Sequence, residues 1–262
     1  MITPTNRFEI IYQALQELQP EIAALRSTPE TLMPSLMQVF DDLGPLPPES
    51  LFLGIASDEL PVLLNLHDPS PGALLVSADP GVGKTNLLRM IAGGICRLHS
   101  PNQVKFGVIS NYPDEWHGFQ EFPNCMGIFP TYHNSSQEFI LSLTSWAHAN
   151  QRGEQILILL VDDLESMTHL DDEARDDLRW LLMRGPSRRV WPILTQNAER
   201  AGEISAWLDY FRTRIFGQIR DHQTADSLSG LTKTNLSNLR AGTQFALRDG
   251  RNWLKFWIPT LD

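Results

Sequence analysis

Cysteine is nearly missing from this 262-residue chain, which has only Cys96 and Cys125. They stand in no metal-binding or redox spacing, which argues against a disulfide framework and fits a reducing compartment, the cytoplasm. Long apolar runs are missing too. No stretch approaches the ~20 residues of a membrane helix, and the opening MITPTNRFEI lacks the apolar centre of a signal peptide. A soluble chain with no membrane segment of its own is expected. Positive charge is scarce: 21 Lys and Arg stand against 31 Asp and Glu, a formal charge of −10. That balance disfavours a broad nucleic-acid-binding face on the isolated chain, although a local basic loop in a ring escapes it. The seven histidines form no pair at metal-ligand spacing, and no serine or cysteine nucleophile motif is present.

What the chain does have is concentrated at 72–91, GALLVSADPGVGKTNLLRMI. An apolar run ends in a glycine-punctuated turn that opens into helical periodicity, the strand–turn–helix setting a phosphate-binding loop requires. Ala78, Asp79, Pro80, Gly81, Val82, Gly83, Lys84, Thr85 and Asn86 form the expected nucleotide-contacting set. Gly81 and Gly83 allow close approach and positive φ. Lys84 would bridge the β- and γ-phosphates of ATP, and the Thr85 hydroxyl would hold Mg²⁺. Ala78 stands where the usual G-x-x-x-x-G-K-[ST] spacing has its first glycine.

A second site lies downstream. The apolar run 155–161 ends in Asp162-Asp163, the Walker B arrangement, in which a buried strand delivers a carboxylate beside the phosphate loop. Asp162 would hold Mg²⁺, directly or through water, and Asp163 would orient and polarise the attacking water. A further strand, 190–194, ends in Thr195-Gln196, so Gln196 is a candidate γ-phosphate sensor, with a strand-end cap as the plainer role. Asp171, Asp172, Glu173, Asp176 and Asp177 read as a solvated helix start, with Thr168 and Asp171 in capping-box-like spacing.

The remaining pattern predicts an amphipathic helix over 5–26 and a proline-rich linker over 27–50 with a short helix near 32–40. A hairpin-like pair comes next, at 51–55 and 61–66. Strands at 104–109, 127–129 and 215–219 alternate with helices at 86–98, 138–150 and up to Met183, which implies an α/β fold with a mostly parallel sheet. Strands 243–248 and 251–258, around Asp249-Gly250, form a closing hairpin. Its Trp253 and Trp257 suit core or interface packing, or stacking on bases.

In this order the elements resemble the FtsK/HerA branch of RecA-like P-loop ATPases, which includes DNA translocases and type VII secretion ATPases. The resemblance covers about 50–260 and rests on FLGIASDELPVLLNLHDPSPGALLVSADPGVGKT, VKFGVIS, ILILLVDDLES, PILTQN, TRIFGQIRD and LRAGTQFALRDG. The pattern before it gives an N-terminal helical extension and linker (1–48), and the resemblance implies a RecA-like ATPase domain (49–262) with a C-terminal β-hairpin. It also implies a homo-oligomer, a hexameric ring that hydrolyses ATP with Mg²⁺ and moves DNA or a protein substrate. A neighbour's arginine would complete each site, and Arg184 best matches its position, with Arg188 and Arg189 nearby. The family usually has Glu where this chain has Asp163. A nucleotide-dependent switch and an AAA+ loader with a helical lid are the alternatives.

Overall fold

The computed structural model describes residues 33–150, 153–249 and 252–261, and the architecture is that of the unit Ser35–Asp262. The helix expected over 5–26 lies outside the described residues. Ten strands form one mixed sheet: β1 (Ser50–Ala56), β2 (Pro61–Asn65), β3 (Leu74–Ala78), β4 (Val104–Ser110), β5 (Cys125–Pro130), β6 (Ile156–Asp162), β7 (Val190–Asn197), β8 (Thr213–Phe216), β9 (Gln244–Asp249) and β10 (Asn252–Trp257). Their order is β2-β1-β10-β9-β8-β3-β7-β6-β4-β5. From β8 to β5 every neighbour is parallel, and from β8 outward to β2 every neighbour is antiparallel.

The parallel half is apolar on both faces because helices cover both. Along β6, Ile156, Ile158 and Leu160 join one core with α2 (Lys84–Leu98), while Leu157, Leu159 and Val161 join a second with α3 (Asn134–Ala149) and α4 (Asp172–Arg184). At α4 the cap is Asp171, whose carboxylate accepts from Ala174 N at 2.8 Å. A third, smaller core packs α5 (His222–Ser229) beside Phe216 and Ala246, and Trp253 meets Phe216 edge-on.

The short helix expected near 32–40 runs Leu36–Leu43 and is a built part of the fold. A capping box sets its start: Gln38 N donates to Ser35 Oγ, and Ser35 N donates to Gln38 Oε1. This helix, α1, buries Leu36 and Val39, and Leu36 N donates to Thr260 O. Gly93 lets α2 come close: a Cβ there would lie 2.9 Å from Leu261 and 3.1 Å from Leu36.

The strand expected at 215–219 is shorter and earlier, Thr213–Phe216. Beyond Phe216 the chain still runs along β3, with Gly217 N on Ser77 O and Asp79 N on Gln218 O, outside regular ladder geometry. The closing hairpin pairs Asp249 with Asn252, one residue later than the dipeptide suggests. Among the described residues no helix is long and apolar enough to cross a membrane.

Candidate functional site

Sheet order builds the site. β7 lies between the phosphate-loop strand β3 and the acid-bearing strand β6, with Ala78 opposite Asn197, Ser77 opposite Gln196, and Val161 opposite Leu194. The C-terminal ends of the three strands therefore deliver Lys84, the residues Thr195 to Asn197, and the acids Asp162 and Asp163 to one edge, where open parallel sheets bind ligands. They line a cleft of ≈ 450 Å³ with Pro80, Gly81, Gly83, Thr85, Asn86, Asn111, Tyr112 and Glu115.

The loop has the backbone an anion needs. Gly81 has φ 73° and Gly83 φ 93°, and Gly83 precedes α2 with no side chain capping its first turn. Those first amide groups, at the positive end of the helix dipole, face the cleft edge. Gly83 also packs on the turn before β9: a Cβ there would lie 2.9 Å from Gly242 Cα, and Gly242 N donates to Val82 O. The closing hairpin is thus tied to the phosphate loop. Ala78, Asp79 and Val82 do not line the cleft. Asp79 is a strut, its N–H on Gln218 O and its carboxylate accepting from Arg220 N at 2.9 Å. Ala78 and Asp79 present their carbonyls to Lys84 Nζ, at 3.1 and 2.9 Å.

Asp162 is held by two hydroxyls. Thr85 Oγ1 donates to Oδ2 at 2.8 Å and Thr195 Oγ1 to Oδ1 at 2.9 Å. Burial raises its pKa, and those two hydrogen bonds oppose the rise. Lys84 Nζ also donates to Asn197 Oδ1 at 2.7 Å. Burial lowers the Lys84 pKa against the pull of Glu165, Asp162, Asp163 and Asp79. The set of hard oxygen donors at Thr85 and Asp162 suits Mg²⁺ held partly by phosphate oxygens and water. Among the described residues no cluster of three or more His, Cys, Asp or Glu could hold a metal ion.

Gln196 is fully buried, and its Nε2 donates to Ser77 Oγ at 2.7 Å across β3–β7. Asn197, one residue on, is the amide that reaches Lys84. Asn197, Asn111, Tyr112, Glu115 and Glu165 are site residues that the sequence alone does not single out. The nearest signal is PILTQN itself, where a second amide comes after the first.

Glu165 is completely buried on the short 3₁₀ turn Leu164–His169, and its Oε1 accepts from Asn197 N at 2.6 Å. Burial first, then a hydrogen bond with Asp163, raises its pKa to about 8. An acid raised in the folded state binds more protons folded than unfolded between its two pKa values. Its stabilising contribution is full below the unfolded value and is lost as pH rises through about 8. Glu165→Gln should therefore gain thermal stability over wild type between pH 5 and 9. A widening Tm gap of about 2–4 °C or more, measured by calorimetry, is the expected result.

Asp163 sits at φ 96°, with its N–H on Thr195 Oγ1 and its Oδ2 accepting from Asn111 Nδ2 at 2.8 Å. Among the described residues no arginine lines the cleft. Arg200, on the segment after β7, pairs with Glu203. Arg184 is exposed at the end of α4, next to the start of β7, where Val190 N donates to Gly185 O. Seven strand steps separate that end from Asn197, roughly 20 Å. Arg184 therefore cannot reach its own cleft.

No protein-family model matches the chain, and a search of curated proteins found no match. Solved structures do match. ATPases 2 and 3 of Thermomonospora curvata EccC, in complex with a signal sequence peptide, superpose with TM-score 0.64 at 18% identity, over 88% of this chain and 43% of that one. ATPases 2 and 3 of EssC from Geobacillus thermodenitrificans give TM-score 0.68 at 14% identity, over 84% and 48%. The pCW3 conjugation coupling protein TcpA, in its monomer form with ATPγS, gives 0.63 at 14%, over 82% and 67%. The chain spans less than half of the EccC and EssC chains it matches. Its fold is that of RecA-like P-loop ATPase domains, the fold the FtsK/HerA resemblance implies.

Proposed function

We propose that this chain binds ATP with Mg²⁺ in the cleft at the end of β3, β7 and β6, hydrolyses it, and works as one subunit of a ring that moves DNA or a protein segment. The observation that carries the reading is the linked set Lys84–Asn197 and Thr85–Asp162–Thr195, which places a phosphate-binding cation and a carboxylate–hydroxyl pair on three adjacent strand ends. The uncapped first turn of α2 and Lys84 take the phosphates. Thr85 and Asp162 would hold Mg²⁺, which would supply positive charge against the phosphates. Asp163 orients the attacking water, and Asn197, on Lys84, takes the γ-phosphate-sensing place that the sequence suggests for Gln196, whose buried side chain is held on Ser77.

The missing arginine supports the ring. Four acids, Asp79, Asp162, Asp163 and Glu165, act on Lys84, and the cleft has no arginine of its own among the described residues to stabilise a loose, negatively charged transition state. Arg184, exposed on the opposite edge of the sheet, is placed to serve a second copy of the chain. Arg184→Ala should lower turnover at least tenfold with ATP affinity retained. Mixing it with Lys84→Ala should restore part of the rate, because mixed contacts then pair an intact cleft with an intact arginine. Full activity of Arg184→Ala alone would remove this residue from the role. DNA and unfolded polypeptide, each added to the ATPase assay, separate the two substrate classes by which one stimulates turnover.

A further inference from the structure

We propose that Arg212, Arg214 and Arg248 form a second anion site, at the sheet edge away from the ATP cleft, that takes a phosphate group. The three arginines line a hollow of ≈ 370 Å³ with Phe211, Ser227 and Ser229. The hollow lies at the start of β8, whereas the cleft lies at the C-terminal end of β3, its parallel neighbour, and the two share no residue. Register brings the cations together. In the antiparallel β8–β9 ladder Ile215 pairs with Leu247 and Phe216 with Ala246, so the next step sets Arg214 across from Arg248. Arg212, two residues before Arg214, falls on the same face. Like charges directly opposite on a sheet are destabilising. Burial, then Arg248, pushes the Arg214 pKa down against the pull of Asp209. In a chain of net charge −10, three arginines around one hollow are a local reversal of sign.

Two of the three arginines are held in place by neutral acceptors. Arg214 Nη1 donates to Leu228 O at 2.7 Å and Nη2 to Leu208 O at 2.8 Å, and Arg248 Nη1 donates to Ser229 O. Leu228 and Ser229 end α5, so a plain capping role accounts for those contacts. It does not account for Arg212. The Arg212 stem lies over Gly72, with Cβ, Cγ and Cδ 3.5 to 3.6 Å from where a Gly72 Cβ would stand. Among the described residues its guanidinium has no hydrogen bond or ion pair. Carbonyl contacts fix a guanidinium without balancing its charge, and Arg214 spends only two of its N–H donors on them. A guanidinium fork matches phosphate oxygens two at a time, and several forks around one hollow suit a tetrahedral phosphate better than a single planar carboxylate. Free phosphate and the backbone of a nucleic-acid strand both supply that chemistry.

The test is binding by the full chain carrying Lys84→Ala, which weakens the competing cleft, compared with the same chain carrying Arg212→Ala or Arg212→Glu as well. Inorganic phosphate is titrated by calorimetry, and a short single-stranded oligonucleotide by fluorescence anisotropy. At least one probe should bind, about tenfold more weakly after Arg212→Ala and not at all after Arg212→Glu. An Arg212-dependent response to phosphate assigns the site to free phosphate, and one to the strand alone assigns it to the strand's backbone; both support the proposal. No saturable binding in either arm, or binding indifferent to Arg212, overturns it. Poly-glutamate bound through Arg212 where neither phosphate probe binds overturns it too, in favour of a carboxylate-bearing partner. With Lys84 in place, Arg212→Glu should bind a fluorescent ATP analogue within about twofold of wild type, because distant sites act independently. Loss of the analogue in parallel with the probes would place the arginines in the ATP site and overturn a separate one. Should Arg212→Glu fail to unfold cooperatively, Arg212→Gln, which removes the charge and keeps most of the stem, decides by the same readouts.

Discussion

Lys84→Ala should reduce ATP hydrolysis about 10³-fold or more. The Lys84 ammonium is pre-set by three acceptors, Ala78 O, Asp79 O and Asn197 Oδ1, so it meets the phosphates without reorganising. Its removal leaves the cleft-lining acids Asp162 and Asp163 facing a polyanion with no opposing cation from the loop. Lys84→Arg should rescue little. A planar guanidinium cannot reproduce a point charge converging on three oxygens around a glycine turn. Coupled phosphate-release assays on both variants, with circular dichroism to show an intact fold, provide the readout; retention of a tenth or more of wild-type turnover by Lys84→Ala would place the activity elsewhere.

Asp163→Ala should cut kcat by about 10²–10⁴-fold while nucleotide binding stays within a few-fold of wild type, because general-base and water-positioning groups act at the chemical step. Binding should survive because Asp162 keeps both of its hydroxyl partners, Thr85 and Thr195, without Asp163. In the fold the change removes the Asp163–Asn111 contact and the hydrogen bond between the Asp163 and Glu165 carboxyl groups. Asp163→Glu, which extends the acid by one methylene, should retain turnover. Single-turnover kinetics beside a binding titration separate the two quantities, and equal losses in affinity and rate would assign Asp163 to ground-state binding instead.

The parts of the site legible in the sequence are those written in contiguous code. Residues 78–86 carry their own turn chemistry, and Asp162-Asp163 ends a run apolar enough to be buried on both faces. Residues that act through register are hidden. Asn111 sits in a loop after β4, and only the pairing of Ser110 with Asp162 brings it to Asp163. Glu165 reads as one more acid behind Walker B, yet the turn Leu164–His169 folds it inward onto Asn197 N. Gln196 eclipses Asn197 because a strand's alternation, unseen in one dimension, decides which amide meets Ser77 and which meets Lys84.

The same holds for the fold. Strand–helix alternation carries the parallel half, and the Gly-containing dipeptide carries the hairpin β9–β10 to within a residue. The helix Leu36–Leu43 is harder to place. The prolines around it suggest a linker, while its start is fixed by the Ser35–Gln38 capping box and its seat by the narrow Gly93 surface of α2, a contact with no local sequence signal.

The most direct measurement of the central claim is a structure of the chain with a non-hydrolysable ATP analogue and Mg²⁺. The expected result has the β-phosphate within the Gly81–Thr85 loop, the γ-phosphate between Lys84 and the Asn197 amide, and the metal on Thr85 and Asp162. Nucleotide bound outside the cleft, or bound there with Lys84 still on Asn197 and no metal at Thr85 and Asp162, would contradict it.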